Sequence, residues 1–399
     1  MKRKLFFTLL MCIAFGFITE KSYAIPAFAR KYRLSCKTCH TPSMPKLKPY
    51  GDTFAGNGFK LSDEEAPRYF VPAGDDKLSL IRNFPLAIRM DGFITYNFNN
   101  GQRSDFQSPY LIKLLSGGQV SEHLAYYFYF YMDERGEVAG VEDAFLMYNN
   151  LFNIDLDIYL GQFQVSDPLF KRELRLTLED YHLYTSQIGI SDINLKYDKG
   201  VMITLGLKSG TTIVVEVLNG NGLPESHNQV FDKDKYKSYV GRISQDIGDY
   251  LRLGAFAYTG REKQQNNFNT EITNDVFIWG PDLTLSTANM FELNAQYLIR
   301  ADSKVFPSES SLITHNNIQT SGLMAELLFM PKGDDSNWYL MGMFNDVQGD
   351  YNEVEYRSYT LHVGYLLKRN VRLAAEYSLV DDYNWNNYNK FNVGFVSGF

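Results

Sequence analysis

The stretch 291–300 reads Phe291-Glu292-Leu293-Asn294-Ala295-Gln296-Tyr297-Leu298-Ile299-Arg300. Its odd-numbered residues are apolar, and its even-numbered residues are polar or charged except for Leu298. Because successive side chains of a β-strand point to opposite faces, this alternation predicts a strand with one apolar and one polar face. A strand of a soluble sandwich also alternates, but it would not usually place Arg and Glu on its inward face. The stretch therefore favours a strand with lipid on one side and water on the other.

The same alternation recurs from about residue 84 to the C-terminus. The stretches 359–367 and 371–379 set Tyr, Leu, Val and Ala on one face against Thr, His, Arg and Glu on the other. We expect about sixteen antiparallel strands, an even number within the range of porins, and the ambiguous stretch 181–197 would change this number by two. The approximate bounds are 84–98, 106–117, 122–133, 141–149, 154–164, 198–208, 210–219, 236–245, 250–260, 272–286, 289–301, 317–331, 336–347, 354–368, 370–380 and 389–399.

The connections between these strands alternate between short turns and long polar loops. The short turns fall at 246–248, 332–335 and 368–370, and the long loops at 219–234, 261–271 and 381–387. Short periplasmic turns and long external loops are typical of outer-membrane barrels. The stretch 391–399 alternates again and ends with an aromatic residue, which resembles the C-terminal signature of outer-membrane proteins. The predicted fold is mainly β: a transmembrane antiparallel β-barrel in the outer membrane.

The composition agrees with a membrane barrel and excludes one class of partner. The chain has 399 residues, with 39 Lys and Arg against 46 Asp and Glu, and a formal net charge of −7. This balance gives no excess of positive charge that could bind phosphate groups, so we expect no nucleic acid partner. Aromatic residues make up 15% of the chain, a high share that suits the aromatic girdles of a barrel in outer-membrane lipid.

The N-terminus predicts export. Lys2, Arg3 and Lys4 precede an apolar run over 5–18, and small residues near position 24 offer a cleavage site. The run is shorter than the ~20 apolar residues that a spanning helix needs. We therefore expect a cleaved signal peptide rather than a membrane anchor.

Cys36-Lys37-Thr38-Cys39-His40 matches the C-x-x-C-H pattern of covalent haem attachment. Each thiol adds to one vinyl group of the porphyrin, and two intervening residues on a helical turn match the spacing of the vinyl groups. The adjacent His40 then serves as the proximal axial ligand of the iron. A redox-active dithiol would need no histidine, and a zinc site would need further ligands nearby. We therefore expect one covalent haem c, held by Cys36, Cys39 and His40.

The chain is expected to divide into a signal peptide (1–24), a small α-helical, monohaem cytochrome c-like segment (25–82) and the barrel (83–399). The middle part is too short for a self-sufficient core. We expect it to fold around the haem, with help from the barrel wall.

The sixth ligand of the iron is left open by the sequence. Met44, His123 and His362 are the candidates. Met44 has only a short tether to His40, so it would have difficulty passing around the porphyrin edge. His123 and His362 fall on strand positions that we expect to face the lumen, where a lone histidine is more often simply solvated.

Two regions of the chain resemble known families. Beside the haem motif, Pro26-Ala27-Phe28-Ala29-Arg30 and Leu47-Lys48-Pro49-Tyr50-Gly51 resemble the fused monohaem c-type cytochrome–porins, outer-membrane cytochromes associated with extracellular iron oxidation. The region from Gly161-Gln162-Phe163 to Glu179-Asp180-Tyr181 is similar to phosphate-selective porins. The resemblance implies a haem segment on the periplasmic side or inside the lumen. It also implies electron transfer between an extracellular donor or acceptor, with ferrous iron as a candidate donor, and a periplasmic electron carrier.

One hypothesis is thus an electron-transfer protein rather than an enzyme. Lumen-side Tyr127, Tyr129 and Tyr131 are candidates to assist transfer, although a role in the aromatic girdle or in structural packing is the safer interpretation. A set of acidic residues in the loops is a candidate to attract a metal cation. These residues are Asp133, Glu134, Glu137, Glu142 and Asp143.

A second hypothesis is an anion-selective porin with a structural or regulatory haem. It rests on the segment 165–181, which carries Lys171, Arg172 and Arg175 and either folds inward as a constriction or remains a solvated external loop. A haem enzyme ranks last, because the chain shows no motif for distal acid–base groups. Nothing in the sequence specifies an oligomeric state.

Overall fold

The computed structural model describes residues 27–32, 34–61, 84–98, 103–166, 168–226, 229–287, 289–383 and 387–399. The expected signal peptide and the expected junction near residue 82 lie outside the described residues.

Within the described residues, sixteen antiparallel strands close into one barrel. Each strand pairs with its neighbours in sequence, and β1 closes the barrel on β16, with Arg89 opposite Gly398. The predicted number is confirmed, and each predicted strand overlaps one observed strand. The strands are β1 (Leu86–Asn97), β2 (Arg103–Gln119), β3 (Leu124–Glu134), β4 (Gly140–Tyr148), β5 (Leu156–Gln164), β6 (Tyr197–Gly206), β7 (Thr211–Leu218), β8 (Ser238–Ile247), β9 (Leu251–Gln265), β10 (Glu271–Thr287), β11 (Phe291–Val305), β12 (His315–Phe329), β13 (Trp338–Gly349), β14 (Tyr356–Lys368), β15 (Val371–Asp382) and β16 (Tyr388–Gly398).

The outer face of the barrel is apolar and exposed, which is the reverse of a soluble protein. In β14, Tyr359 and Leu361 are each 53% exposed, whereas the inward-facing Thr360 is 4% and His362 is 0% exposed. Such a surface is stable only against lipid. No described helix is long and apolar enough to cross a membrane.

One predicted loop is wrong. The stretch 261–271 was expected to be a long polar loop, but β9 runs to Gln265 and β10 begins at Glu271. Beyond the apolar band of a barrel, both faces of a strand meet water and the outer face no longer needs to be apolar. The loss of alternation therefore marked the edge of the membrane and not the end of the strand.

The two ends of the barrel differ. Both the start of β1 and the end of β16 lie at the end that carries the brief connections, such as Arg369-Asn370 between β14 and β15. We call this the short-turn end, and the opposite one the loop end.

An N-terminal segment, residues 27–61, lies inside the barrel at the short-turn end. It contains three short helices: α1 (Ala27–Tyr32), α2 (Cys36–Cys39) and α3 (Pro49–Gly56). The amide Nδ2 of Asn149, in the turn between β4 and β5, donates to the carbonyl oxygen of Gly56 at 2.5 Å. Lys48 forms an ion pair of 2.6 Å with Asp334, in the turn between β12 and β13. These contacts attach the segment to turns on different sides of the barrel.

A second element fills the lumen: the lumen loop, residues 165–196, which connects β5 and β6. Tyr184 of this loop donates to Gln296, and Arg300 donates to the carbonyl oxygen of Ile193 at 2.7 Å. The loop thus crosses to β11, and the stretch 181–197, ambiguous in sequence, is not a barrel strand until Tyr197. The loop includes α4 (His182–Thr185) and the 3₁₀ turn Arg172–Leu174; further 3₁₀ turns are Leu151–Asn153, Gly333–Asp335 and Asn352–Val354.

The lumen loop covers an apolar area on the inner wall. Tyr181, Tyr184 and Ile193 are each at most 3% exposed, and they belong to one buried cluster with inward-facing wall residues. The wall members include Met202, Phe256, Ile278, Leu298, Met324 and Met343. Part of the lumen is therefore a packed core rather than a water-filled channel.

Candidate functional site

A mainly apolar cavity of about 550 Å³ lies between the N-terminal segment and the barrel wall. We call it the first cavity. Its volume falls within the range of roughly 300–1,000 Å³ that is usual for sites of small molecules and cofactors. Cys36, Cys39 and His40 all line it, so the structure brings the three predicted haem residues to one cavity.

Helix α2 positions the two cysteines. The hydroxyl of Ser35 caps the helix by accepting from the backbone N–H of Lys37, and the N–H of His40 donates to the carbonyl oxygen of Cys36 at 2.9 Å. Cys36 and Cys39 are not joined in a disulfide. Burial raises the pKa of both thiols, so they are protonated near neutral pH, the state from which a thiol adds to a vinyl group.

The imidazole of His40 is held in one tautomer. Its Nδ1 atom donates to the carbonyl oxygen of Pro45 at 2.9 Å. A proton on Nδ1 leaves the lone pair on Nε2, the atom that a metal would bind. Burial lowers the pKa of His40, which favours the neutral form. Cavity, thiols and tautomer together fit a covalently attached haem c.

Aromatic rings close one side of the first cavity. The ring of Phe28 stacks on Phe59 with centroids 4.8 Å apart and meets Phe54 edge-on at 5.3 Å. Phe59 in turn stacks on Tyr127 of β3 at 5.5 Å. Phe28, Phe54, Phe59 and Tyr127 all line the cavity, so the N-terminal segment and the wall jointly shield it from water.

Ion pairs fix the segment to the wall around this cavity. Lys46 pairs with Glu292 of β11, and both side chains are less than one-fifth exposed. Arg372 of β15 donates to the carbonyl oxygen of Met44. Lys37 pairs with Asp335 at 2.8 Å on the exposed rim.

The candidates for the sixth ligand lie in different surroundings. Met44 lines the first cavity. His362 faces the lumen as predicted, but its Nδ1 donates to Glu376 at 2.9 Å and its Nε2 lies 3.3 Å from the hydroxyl of Tyr339. His362 does not line the cavity.

The predicted lumen-facing position of His123 is wrong. His123 lies in the turn after β2, donates to the carbonyl oxygen of Asn149 and stacks on Tyr148 at 5.7 Å. Tyr148 faces outward, because the preceding Met147 lines the first cavity. Alternation gives the face of a residue only while the strand continues, and here the turn interrupts it.

Sequence reasoning missed several wall residues of the first cavity. Met147 of β4 and Met202 of β6 line it as inward-facing sulfur side chains. It is also lined by cations from separate elements. These are Arg89, Lys113, Arg242, Arg369 and Arg372, besides Lys171, which the sequence had already singled out. The alternation within each strand could have shown that these residues face the lumen. It could not show which of them meet across the lumen, because that depends on how the barrel closes.

A second cavity of about 430 Å³, with a mainly polar lining, lies nearer the loop end. Tyr129 and Tyr131 line it, and the hydroxyl of Tyr129 donates to Glu142 at 2.8 Å and lies 2.6 Å from the hydroxyl of Tyr197. Glu173 lines both cavities, so the two are neighbours.

The acidic residues singled out in the sequence divide between the two cavities. Glu134, Glu137 and Glu142 line the second cavity, Asp143 lines the first, and Asp133 lines neither. No group of three or more His, Cys, Asp or Glu side chains among the described residues is arranged to hold a metal ion. The carboxylates of the second cavity share its lining with Arg135, Arg172 and Arg175.

The three cations of the segment 165–181 also separate. The segment folds inward, as one of the two expectations had it. Lys171 lines the first cavity, whereas Arg172 and Arg175 line the second and both pair with Asp180, at 2.5 and 3.8 Å. Burial alone would raise the pKa of Asp180, but Arg175 and Arg172 hold it well below its ordinary value. The arginine charges are therefore partly neutralised.

Neither a protein family model nor a curated protein matches the chain. Solved structures do match. They include the outer membrane channel DcaP of Acinetobacter baumannii (14% identity, TM-score 0.56, covering 79% of this chain and 97% of that one) and the anion-selective porin from Comamonas acidovorans (11%, 0.56, 79% and 99%). The trimer form of in-vitro folded OmpT of Vibrio cholerae also matches (14%, 0.53, 79% and 99%). At these identities the likeness shows the fold alone, which is a porin-like β-barrel.

Proposed function

We propose that this protein is an outer-membrane electron-transfer protein, and not an enzyme, with one covalent haem c in the lumen of its barrel. One observation carries the proposal: Cys36, Cys39 and His40 line the same mainly apolar cavity, and Pro45 fixes the tautomer of His40. When bound, haem c supplies a one-electron carrier whose potential depends on its axial ligands and on burial.

Residues of the chain have separate tasks in this proposal. Cys36 and Cys39 would hold the porphyrin through thioether bonds, and His40 would present Nε2 to the iron. The aromatic rings of Phe28, Phe54 and Phe59 exclude water. Exclusion of water lowers the local dielectric, so charged residues around the cavity act more strongly on the potential.

Two elements inside the lumen would narrow a path for solutes, which favours electron transfer over solute passage. The N-terminal segment fills the short-turn end, and the lumen loop packs against the inner wall farther along. In outer-membrane barrels the short turns face the periplasm, so the N-terminal segment would meet a periplasmic electron carrier. At the other end, the carboxylates of Glu134, Glu137 and Glu142 would attract a cationic donor. Ferrous iron is the donor that the family resemblance suggests.

An anion-selective porin is the second candidate function. Arg172 and Arg175 lie in the lumen on an inward-folded loop, as a constriction that prefers anions would require. The solved structure of the Comamonas acidovorans porin, whose fold is similar, is described as anion-selective. In this alternative the haem is structural or regulatory.

The test compares wild type with the double variant Cys36→Ser/Cys39→Ser, both produced with cytochrome c maturation. Covalent haem is measured in denatured protein, and barrel folding by heat-modifiable migration in gels. Folded protein is then mixed rapidly with ferrous iron, and single-channel current is recorded in planar bilayers. We expect one haem per wild-type chain, none in the variant, prompt haem reduction and little current.

Other outcomes would contradict the proposal or support the porin alternative. Absence of covalent haem from folded wild type overturns the proposal. The porin alternative is supported if ferrous iron does not reduce the haem and the barrel carries a large anion current. In that case Arg172→Gln/Arg175→Gln should lower the preference for chloride over potassium.

A further inference from the structure

The side chain of Lys113 is buried in the wall of the first cavity without an anionic partner. Lys113 lies in β2, is 8% exposed and lines the cavity. Among the described residues, Nζ makes no hydrogen bond and has no carboxylate within ion-pair distance. Its contacts are the rings of Tyr129 and Tyr131, whose centroids lie 4.5 and 5.4 Å away. A buried ammonium group is costly unless an anion compensates it.

The register of the sheet increases this cost. Lys113 lies directly opposite Arg89 of β1, and like charges in that arrangement destabilise a sheet. The carboxylate nearest to Arg89 is already engaged, since Asp91 accepts from Nε and Nη2 of Arg89 at 3.0 and 2.6 Å. The pair Arg89–Lys113 therefore keeps one uncompensated positive charge.

A β-bulge lies at this position. The register between β2 and β3 shifts between Ile112 and Lys113. Bulges change the direction of a side chain and are frequent beside functional sites. The bulge thus lies at the residue whose side chain points into the first cavity.

The other charged groups near Lys113 do not remove its charge. Glu142 accepts from the hydroxyl of Tyr129, and Glu173 lines both cavities. On the neighbouring side of the barrel, beyond β16, Arg372 also lines the first cavity, is 4% exposed and has a buried Nε without a hydrogen-bond partner among the described residues. The lining of the first cavity includes six cationic side chains but only three carboxylates, those of Asp52, Asp143 and Glu173. Positive charge is therefore in excess around Lys113.

We propose that Lys113 and Arg89 form an oxyanion site in the wall of the first cavity, and that its occupant is a propionate carboxylate of the haem. The inference rests on the proposed function, because the covalent haem would supply a carboxylate to balance the excess positive charge of the wall. Charge-assisted hydrogen bonds from Lys and Arg are the usual partners of carboxylates and phosphates. Free inorganic phosphate has the same chemistry and is the other source of an oxyanion.

The experiment compares Lys113→Met with Lys113→Arg, which keeps the charge, and with Lys263→Met, which removes a lysine from an exposed ion pair at the loop end. Covalent haem is quantified first in all proteins, and the midpoint potential is then measured in holoprotein. Loss of a nearby positive charge disfavours the reduced haem. We expect Lys113→Met alone to lower the reduction equilibrium about tenfold, which is about 59 mV for one electron.

Adding inorganic phosphate distinguishes a haem propionate from free phosphate as the occupant of the site. In wild-type holoprotein a propionate in the site should leave the midpoint potential insensitive to added inorganic phosphate. A phosphate-dependent potential that Lys113→Met abolishes would assign the site to free phosphate instead. Equal potentials in all variants with full haem content overturn the inference while leaving the proposed function intact. Absence of haem in wild type overturns the proposed function itself.

Discussion

The Nδ1 atom of His40 lies 2.9 Å from the carbonyl oxygen of Pro45. This hydrogen bond orients the imidazole before any metal arrives, so His40 offers Nε2 without a tautomer change. In the proposed haem site, attachment would depend on the two thiols of Cys36 and Cys39, whereas ligation of the iron would depend on the ring of His40.

Substitution of His40 tests this separation. In His40→Gly we expect the absorption spectrum of the holoprotein to lose its nitrogen-ligated character, because the iron lacks its proximal ligand. Added imidazole should restore the spectrum. His123→Ala is the matched control, since His123 lies outside the first cavity, and it should leave the spectrum unchanged. A wild-type spectrum in His40→Gly without imidazole would contradict this assignment.

Two glycines of α3 provide a packing test of the same site. A Cβ atom added at Gly51 would lie 2.2 Å from the carbonyl oxygen of Cys39, whereas one added at Gly56 meets nothing within 4 Å. Gly51→Ala should lower the free energy of unfolding of the N-terminal segment by about 1–3 kcal/mol, the usual cost of overpacking. Gly56→Ala should be neutral or slightly stabilising. The shift of the haem absorption band in urea measures both, and equal midpoints would refute the close contact.

The ion pair of Lys46 with Glu292 should couple the N-terminal segment to the wall. Both side chains are partly buried, so a double-mutant cycle with Lys46→Met and Glu292→Gln should give about 1 kcal/mol. The same urea titration measures it. The exposed pair Lys263–Glu271 is the control, and we expect no measurable coupling there. Additive effects of the Lys46 and Glu292 substitutions would mean that the segment is held by other contacts.

Glu376 should hold the lumen loop in place. It accepts from the backbone N–H groups of Leu178 and Glu179, at 2.8 and 3.1 Å, and from His362. Glu376→Ala leaves these buried donors without a partner, at a cost of about 3 kcal/mol. Local amide exchange in the loop should accelerate about a hundredfold, as measured by mass spectrometry. Exposed Glu271→Ala is the control, and unchanged exchange in Glu376→Ala would show that the apolar packing alone retains the loop.

The lumen loop should also respond to acid through His182. Its ring stacks on Tyr356 with centroids 3.7 Å apart. Burial lowers the pKa of His182, and the opposing carboxylates of Glu179, Asp382 and Asp180 do not restore it. A lowered histidine pKa means that the unfolded loop binds protons more readily. The contribution of His182 to stability is therefore complete above the unfolded pKa of about 6.5, and it falls as the pH decreases below that value.

Amide exchange of the lumen loop at pH 7.5 and at pH 5 measures this effect. We expect faster exchange at the lower pH in wild type. The variant His182→Phe keeps an aromatic ring for stacking but cannot titrate, so the difference between the two pH values should shrink. A pH response of equal size in His182→Phe would assign it to other groups, among them Asp180.

Much of this protein could be predicted from local sequence. Alternation in stretches such as 291–300 predicted sixteen strands, because the two-residue period and the contrast between lipid and water act on each strand separately. The motif from Cys36 to His40 predicted its own local geometry, because the spacing of the two thiols lies within one helical turn. The positions of His362 and of Tyr127, Tyr129 and Tyr131 on the lumen side followed from the same parity.

Only the tertiary structure decided what fills the barrel. The contacts of Lys46 with Glu292 and of Arg300 with Ile193 join residues far apart in the chain, and no local period encodes them. The turn before β3 turned His123 away from the lumen. The charge of Lys113 became informative only when the register between β1 and β2 placed it opposite Arg89, in a cavity shared with His40. Local chemistry thus determined the strands and the haem motif, whereas long-range packing determined the enclosed site.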